Sequence, residues 1–167
     1  MRHKGQFDAS SVNLKFYFNN NFRAVSGFSF YHWRVIELIE NNSIQVKEIN
    51  REILKELVNI ILPDGEGVLH KLLRKNLDQF EQLIAVLGGQ TKINILPNII
   101  GQTPLHLCVE RSYSRAADLL LTTIAKYPLD DHSSFISDIL KDLLVLCPVS
   151  LARYFESRVI KPDWGIN

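Results

Sequence analysis

The sequence predicts an all-α fold in which helix pairs stack behind an irregular N-terminal segment, and three observations lead there. Apolar residues recur at helical spacing over several stretches, one stretch repeats another without a gap, and prolines and paired asparagines fall between the periodic runs. The 167 residues suit one ordinary domain, and 46% apolar with 22% charged residues is a mixture able to bury a sizeable core. Nineteen basic residues offset eighteen acidic ones, so the net charge of +1 gives no general attraction to nucleic acid or an anionic bilayer.

Residues 1–32 form an irregular, aromatic-rich lead-in, with FYF at 16–18 and GFSFYHW at 27–33. Its rings are expected to pack onto the helices after it, with a partner-binding aromatic cluster as the alternative. Residues 33–62 read as an N-terminal helix pair. The first helix runs from Trp33 to Glu40 and stops at Asn41-Asn42. In the second, Val46, Ile49, Ile53, Leu57 and Ile60 line one face while Lys47, Glu48, Arg51, Glu52, Lys55 and Glu56 fill the other. Pro63 is expected to end that helix, because its ring removes an amide donor and biases the preceding residue away from helix.

Residues 63–130 hold the repetition. DGEGVLHKLLRKNLDQFEQLIAVLG overlays IIGQTPLHLCVERSYSRAADLLLTTI at an offset of 36, from Gly65 to Gly101. Leu69 then meets Leu105, His70 meets His106, and Phe80, Leu83 and Ile84 meet Ala116, Leu119 and Leu120. Each copy reads as a short helix, a turn near Asn76-Leu77 or Ser112-Tyr113, and a second helix. Residues 131–167 complete the chain with an atypical pair: SSFISDILKDLLVL as one helix and a second opened by Pro148.

With Thr103, Pro104, Leu105 and His106 behind Gly101, the second copy, Asn98 through Ile124, resembles the ankyrin repeat. Those residue types suit a helix start: Thr caps, Pro gives up an amide that would be orphaned anyway, and Leu enters the core. The resemblance implies an ankyrin-like helical solenoid in which His106 is structural, tying neighbouring turns together. The first copy has Gly67 and Val68 where Thr and Pro would stand, so it lacks the hydroxyl cap. The repeat motif is thus Gly65, Leu69, His70, Gly101, Thr103, Pro104, Leu105 and His106. Two repeats cannot cover both of their faces, so the flanking pairs at 33–61 and 133–160 are expected to cap the stack. The C-terminal block, through Tyr127-Pro128, Ser157-Arg158 and Trp164, is similar to the segment after the ankyrin-type repeats of certain large protozoan ion-transport proteins.

Chemistry is not expected. GGQTK at 88–92 lacks phosphate-loop spacing, and Gly88-Gly89 read instead as a left-handed stop for the preceding helix. Cys108 and Cys147 lack metal spacing and are expected to be buried free thiols, a lone catalytic cysteine being the alternative. Asp130, Asp131 and His132 read as a polar connection, with Ser133 or Ser134 capping the next helix. His70, Lys71, Arg74 and Lys75 offer a modest basic face. No run of apolar residues is long enough for a spanning helix, and the first twenty residues lack a secretory core, which points to a cytoplasmic setting.

The sequence therefore predicts no catalytic residue, metal or cofactor, and a scaffold that binds another protein rather than nucleic acid or membrane. The alternative is a cytosolic regulatory or assembly module of a larger ion-transport protein. Candidate contact positions around the turns are Lys92, Asn94, Asn98, Gln102, Glu110, Arg111 and Tyr113.

Overall fold

In a computed structural model of the chain, the residues described are 30–88, 92–93, 95–127 and 133–158. Every regular element among them is helical. Residues 1–29 of the aromatic lead-in, Asn94, the Asp130–His132 trio and the residues after Arg158 lie outside them, while Phe30, Tyr31 and His32, expected in the irregular lead-in, begin the first helix.

Helix α1, Phe30–Glu40, places Val35, Ile36, Leu38 and Ile39 in the core. It ends where Asn42 takes a left-handed φ of 64° and the Ser43 amide reaches back to the Leu38 carbonyl (2.9 Å), a polar residue standing where glycine is usual.

The continuous helix expected from Val46 to Ile60 is two pieces. A 3-10 turn, Val46–Glu48, gives way to extended backbone at Ile49, and α2, Arg51–Leu57, starts afresh. Asn50 causes the break: its side-chain oxygen accepts the Glu52 amide (2.7 Å), an N-cap inside the apolar period. Nor does Pro63 end this helix, which stops at Leu57. Pro63 instead occupies the second position of a turn closed by the Gly65 amide on the Leu62 carbonyl (2.8 Å), where its fixed φ is favourable.

Helix α3, Val68–Lys75, and α4, Leu77–Leu87, meet at Asn76, whose side-chain oxygen caps α4 through the Gln79 amide (3.2 Å). Helix α5, Pro104–Glu110, and α6, Ser114–Ala125, repeat that pattern. At the end of α4 Gly88 is right-handed (φ −56°), not left-handed as expected. Lack of a side chain is what the site requires, since a Cβ would come 2.7 Å from the Ile84 carbonyl oxygen.

The expected helix 133–146 is divided into α7, Ser133–Asp138, and α8, Leu140–Leu146, by Ile139, which leaves the helical region (φ −124°, ψ 21°). Ser133 and Ser134 belong to α7 itself rather than preceding it as caps. Helix α9, Pro148–Arg158, opens on its proline as expected. The helices α3, α5 and α8 begin at Val68, Pro104 and Leu140, so the period of 36, from 68 to 104 and from 104 to 140, extends to the third pair.

Packing obeys the period. Helices α1, α3, α5 and α8 form one row, each against the next, while the 3-10 turn with α2, then α4, α6 and α9, form a second row behind it. Hydrogen bonds outside the helices join residues about one period apart: Asn76 to the Glu40 carbonyl (3.1 Å), Ser114 to the Leu146 carbonyl (2.8 Å), and Arg158 to the Ile124 carbonyl (3.2 Å). One core runs through the stack, with Leu54, Leu72, Phe80, Leu83, Leu105, Leu120 and Leu143 among its fully buried members. No helix among the described residues is long and apolar enough to cross a membrane.

Both cysteines are buried and unpaired. Burial, with Cys147 nearby, pushes the Cys108 thiol up to about 12, and burial pushes Cys147 up to about 11. Since the thiolate is the reacting species, neither should react appreciably with a disulfide reagent near neutral pH until the chain unfolds. A thiol titration with and without denaturant checks this; rapid labelling of the native protein would contradict it.

Candidate functional site

The two turns that precede α3 and α5 are built alike. In the first, the Leu62 amide donates to the Glu66 carbonyl (2.8 Å) and the Gly65 amide to Leu62 (2.8 Å); 36 residues on, Asn98 donates to Gln102 (2.8 Å) and Gly101 to Asn98 (3.0 Å). Gly65 and Gly101 hold φ of +86° and +85°, a region side chains disfavour. In each copy the histidine closes the helix start: Nδ1 of His70 accepts the Gly67 amide (3.3 Å), and Nδ1 of His106 accepts the Thr103 amide (3.0 Å). The Thr103 hydroxyl also accepts the His106 amide (3.4 Å), the cap that the first copy lacks. Leu69, Thr103, Pro104 and Leu105 are buried beneath these turns.

Adjacent tips are tied together. Nε2 of His70 donates to the Gln102 carbonyl (2.8 Å), and Nδ2 of Asn98 donates to Oε2 of Glu66 (3.1 Å). The corresponding Nε2 of His106 lies 3.5 Å from Asp138, with its ring edge-on to Phe135 of α7 (6.5 Å). Burial works against the Glu66 carboxylate, but hydrogen bonds from Arg74 and Asn98 hold it below the ordinary carboxylate range. Asp64 is likewise held low against its burial by Lys71. Lys71 also lies over the Trp33 ring, 5.5 Å from its centre. The expected basic face is therefore largely consumed: His70 is buried, while Lys71 and Arg74 are paired with Asp64 and Glu66.

Burial also lowers the His70 pKa, outweighing the Gln102 carbonyl and Glu66, which pull it up. The unfolded chain takes up this proton near pH 6.5, the folded chain only at lower pH. His70 therefore contributes its full stability above about pH 6.5 and loses it as pH falls through the lower folded pKa. Denaturant titrations should show His70→Gln with a shallower loss of stability between about pH 7 and pH 5 than the native chain. Equal slopes would contradict a neutral, buried imidazole.

Of the positions expected to contact a partner, Lys92, Glu110 and Arg111 are exposed, and the Lys92 carbonyl accepts from Asn59 (3.4 Å). Asn98 is not a surface residue: at 8% exposure, its side-chain oxygen accepts the Ile100 (3.1 Å) and Gln102 (2.9 Å) amides, so it holds its own turn in shape. Gln102 is half-buried and its carbonyl is used twice, by His70 and Asn98. Tyr113 is also half-buried, packed against the core at the start of α6.

Sequence reasoning misses two features. Ile99 and Ile100 crown the second tip at 83% and 72% exposure, with Leu96 partly exposed nearby, where the first copy has Pro63 and Asp64. The readable signal is the pair of isoleucines inside a turn that otherwise carries Asn and Gly. The other is a groove of about 140 Å³ between α1 and α3, lined by Trp33, Ile36, Glu37, Glu40, Leu62, Lys71 and Lys75. In it Glu40 is raised above the ordinary carboxylate range by burial, against Lys75 and Lys71, and its Oε2 has no hydrogen-bond partner. Among the described residues no three His, Cys, Asp or Glu side chains gather to hold a metal ion. No family model, curated protein or solved structure matches the chain.

Proposed function

We propose that this chain is a non-catalytic protein-interaction scaffold built on ankyrin-like repeats, recognising another protein through its turn tips and the row of helices beside them. The repeat reading is supported by the two turns of one design, each with a left-handed glycine and a histidine closing the next helix. The observation that carries the function is the Ile99–Ile100 tip. Its isoleucines are held toward water on a turn pinned by Asn98 and Glu66, so little conformational freedom remains to be lost on binding. Burying both would contribute roughly 3 to 6 kcal/mol gross, the scale of an interface hot spot. Exposed Glu110 and Arg111 supply a polar rim.

The test is affinity capture from an extract of the source cells with three forms of the chain: native, Ile99→Asp with Ile100→Asp, and Ala85→Asp on the exposed side of α4. A partner held by the native and Ala85→Asp forms but lost from the double variant, at unchanged helicity, supports the tip as the recognition surface. Retention by the double variant, or no reproducible partner for the native form, contradicts it.

A further inference from the structure

The last helix pair leaves bare the positions that its predecessors cover. Leu72 of α3 and Cys108 of α5 are fully buried, yet Leu144, the next residue at the period of 36, is 54% exposed. Leu73 and Val109 are buried and half-buried one position further on, where Val145 is 85% exposed. Helix α5 covers α3 and α8 covers α5; nothing stands in that row after α8 among the described residues. Phe155 of α9, at 43% exposure, extends the bare surface onto the second row.

We propose that this end face is a self-association surface, on which a second copy of the chain seats its own α8–α9 pair in a two-fold arrangement. The surface carries the apolar positions that the earlier pairs bury against a neighbouring helix pair, so a helix pair with apolar residues at the same positions can cover it. A second copy presents one, and three further features favour it over an unlike partner. First, Lys141 stands at the position of Leu69 and Leu105 with Asp142 beside it, both exposed and with no ion pair among the described residues. A two-fold axis brings i to j and j to i, so Lys141 can meet Asp142 of the other copy twice over. Second, the net charge of +1 opposes the approach of two copies very little. Third, the exposed large apolar residues described are Leu96, Ile99 and Ile100 of the loop, Leu144, Val145 and Phe155 of the end face, and Val149 on a separate groove, with none on α1. Tail-to-tail closure into a dimer is therefore favoured over head-to-tail growth. This surface does not depend on the partner proposed for the Ile99–Ile100 tip.

Sedimentation velocity of the full chain, from micromolar to hundreds of micromolar, reads the outcome. The native form is expected to reach the dimer. Val145→Glu and Leu144→Glu should raise the dimer dissociation constant by at least about a hundredfold, because each replaces an apolar contact by a carboxylate that must lose its water, and each draws Lys141, one turn away, from Asp142 of the other copy. Val149→Glu is the control: Val149 is also exposed, at 62%, but lines a different groove, beside Ser114, Arg115 and Asp118. It should leave the dimer intact, and circular dichroism should show all three variants as helical as the native chain. A native form that stays monomeric over the whole range overturns the proposal. So does a Val145→Glu form that dimerises as well as the native one, or a Val149→Glu form that loses the dimer as completely as Val145→Glu.

Discussion

Replacing Gln79 by leucine is expected to destabilise the fold by about 3 to 5 kcal/mol, although the volume is nearly kept and the new side chain is apolar. Gln79 is fully buried on α4 and its amide serves the irregular first unit. Its oxygen accepts the Val46 amide (3.2 Å), and its nitrogen donates to the carbonyls of Ile44 (2.9 Å) and Ile39 (3.3 Å). Those three backbone groups lie where α1 ends and the 3-10 turn begins, beyond the reach of a regular helix ladder. The Ile39 carbonyl would keep the Asn42 amide (3.2 Å), but leucine would leave the Val46 amide and the Ile44 carbonyl buried and unpaired, each at a cost of about 1 to 3 kcal/mol. Urea titration monitored by circular dichroism measures the loss; a change below about 1 kcal/mol would mean that water or a local shift satisfies them.

Gly65→Ala is expected to cost about 2 to 4 kcal/mol, against about 1 to 2 for Gly101→Ala, although the two glycines share one backbone conformation. Both substitutions carry the left-handed penalty. Only at Gly65 would the new Cβ overlap another group, Cγ2 of Ile99 on the neighbouring tip, whereas at Gly101 nothing lies within 4 Å. The excess therefore measures contact between successive tips. In an Ile99→Ala background the cost of Gly65→Ala should fall to that of Gly101→Ala; a cost unchanged by that background would contradict the contact.

Much of this is legible because repetition writes itself into sequence. The Gly, Leu and His matches at an offset of 36 locate both turns and both helix pairs, while the structural role expected of the histidine comes from the resemblance to the ankyrin repeat. The breaks are harder to read. Ile49 and Ile53 are both buried across the interruption at Asn50, so helical spacing survives where the helix does not. The warning is Asn50 two residues before Glu52, an N-cap signal that the apolar period outweighs. Gln79 escapes notice because a polar residue on an amphipathic helix suggests surface, and only the irregular backbone of the preceding unit, far away in sequence, gives it a reason to be inside. Asn98 misleads in the same way: an asparagine near a turn suggests exposure, but its amide substitutes for backbone partners within its own turn. The α8–α9 face is hidden because Leu144 and Val145 read as core in any helical pattern. Their exposure depends on whether another helix pair is stacked against them.

The two turns are one device used twice, and native-state amide hydrogen exchange tests that most directly. Four amides are informative, each bonded within its turn or to a histidine: Leu62 and Gly67 in the first copy, Asn98 and Thr103 in the second. Matched, strong protection of both pairs, weakened at Gly67 by His70→Gln and at Thr103 by His106→Gln, is the expected result. Exchange of Asn98 and Thr103 at the rate of an unstructured loop, while Leu62 and Gly67 stay protected, would show that the turns are not equivalent and that the Ile99–Ile100 tip has no rigid base.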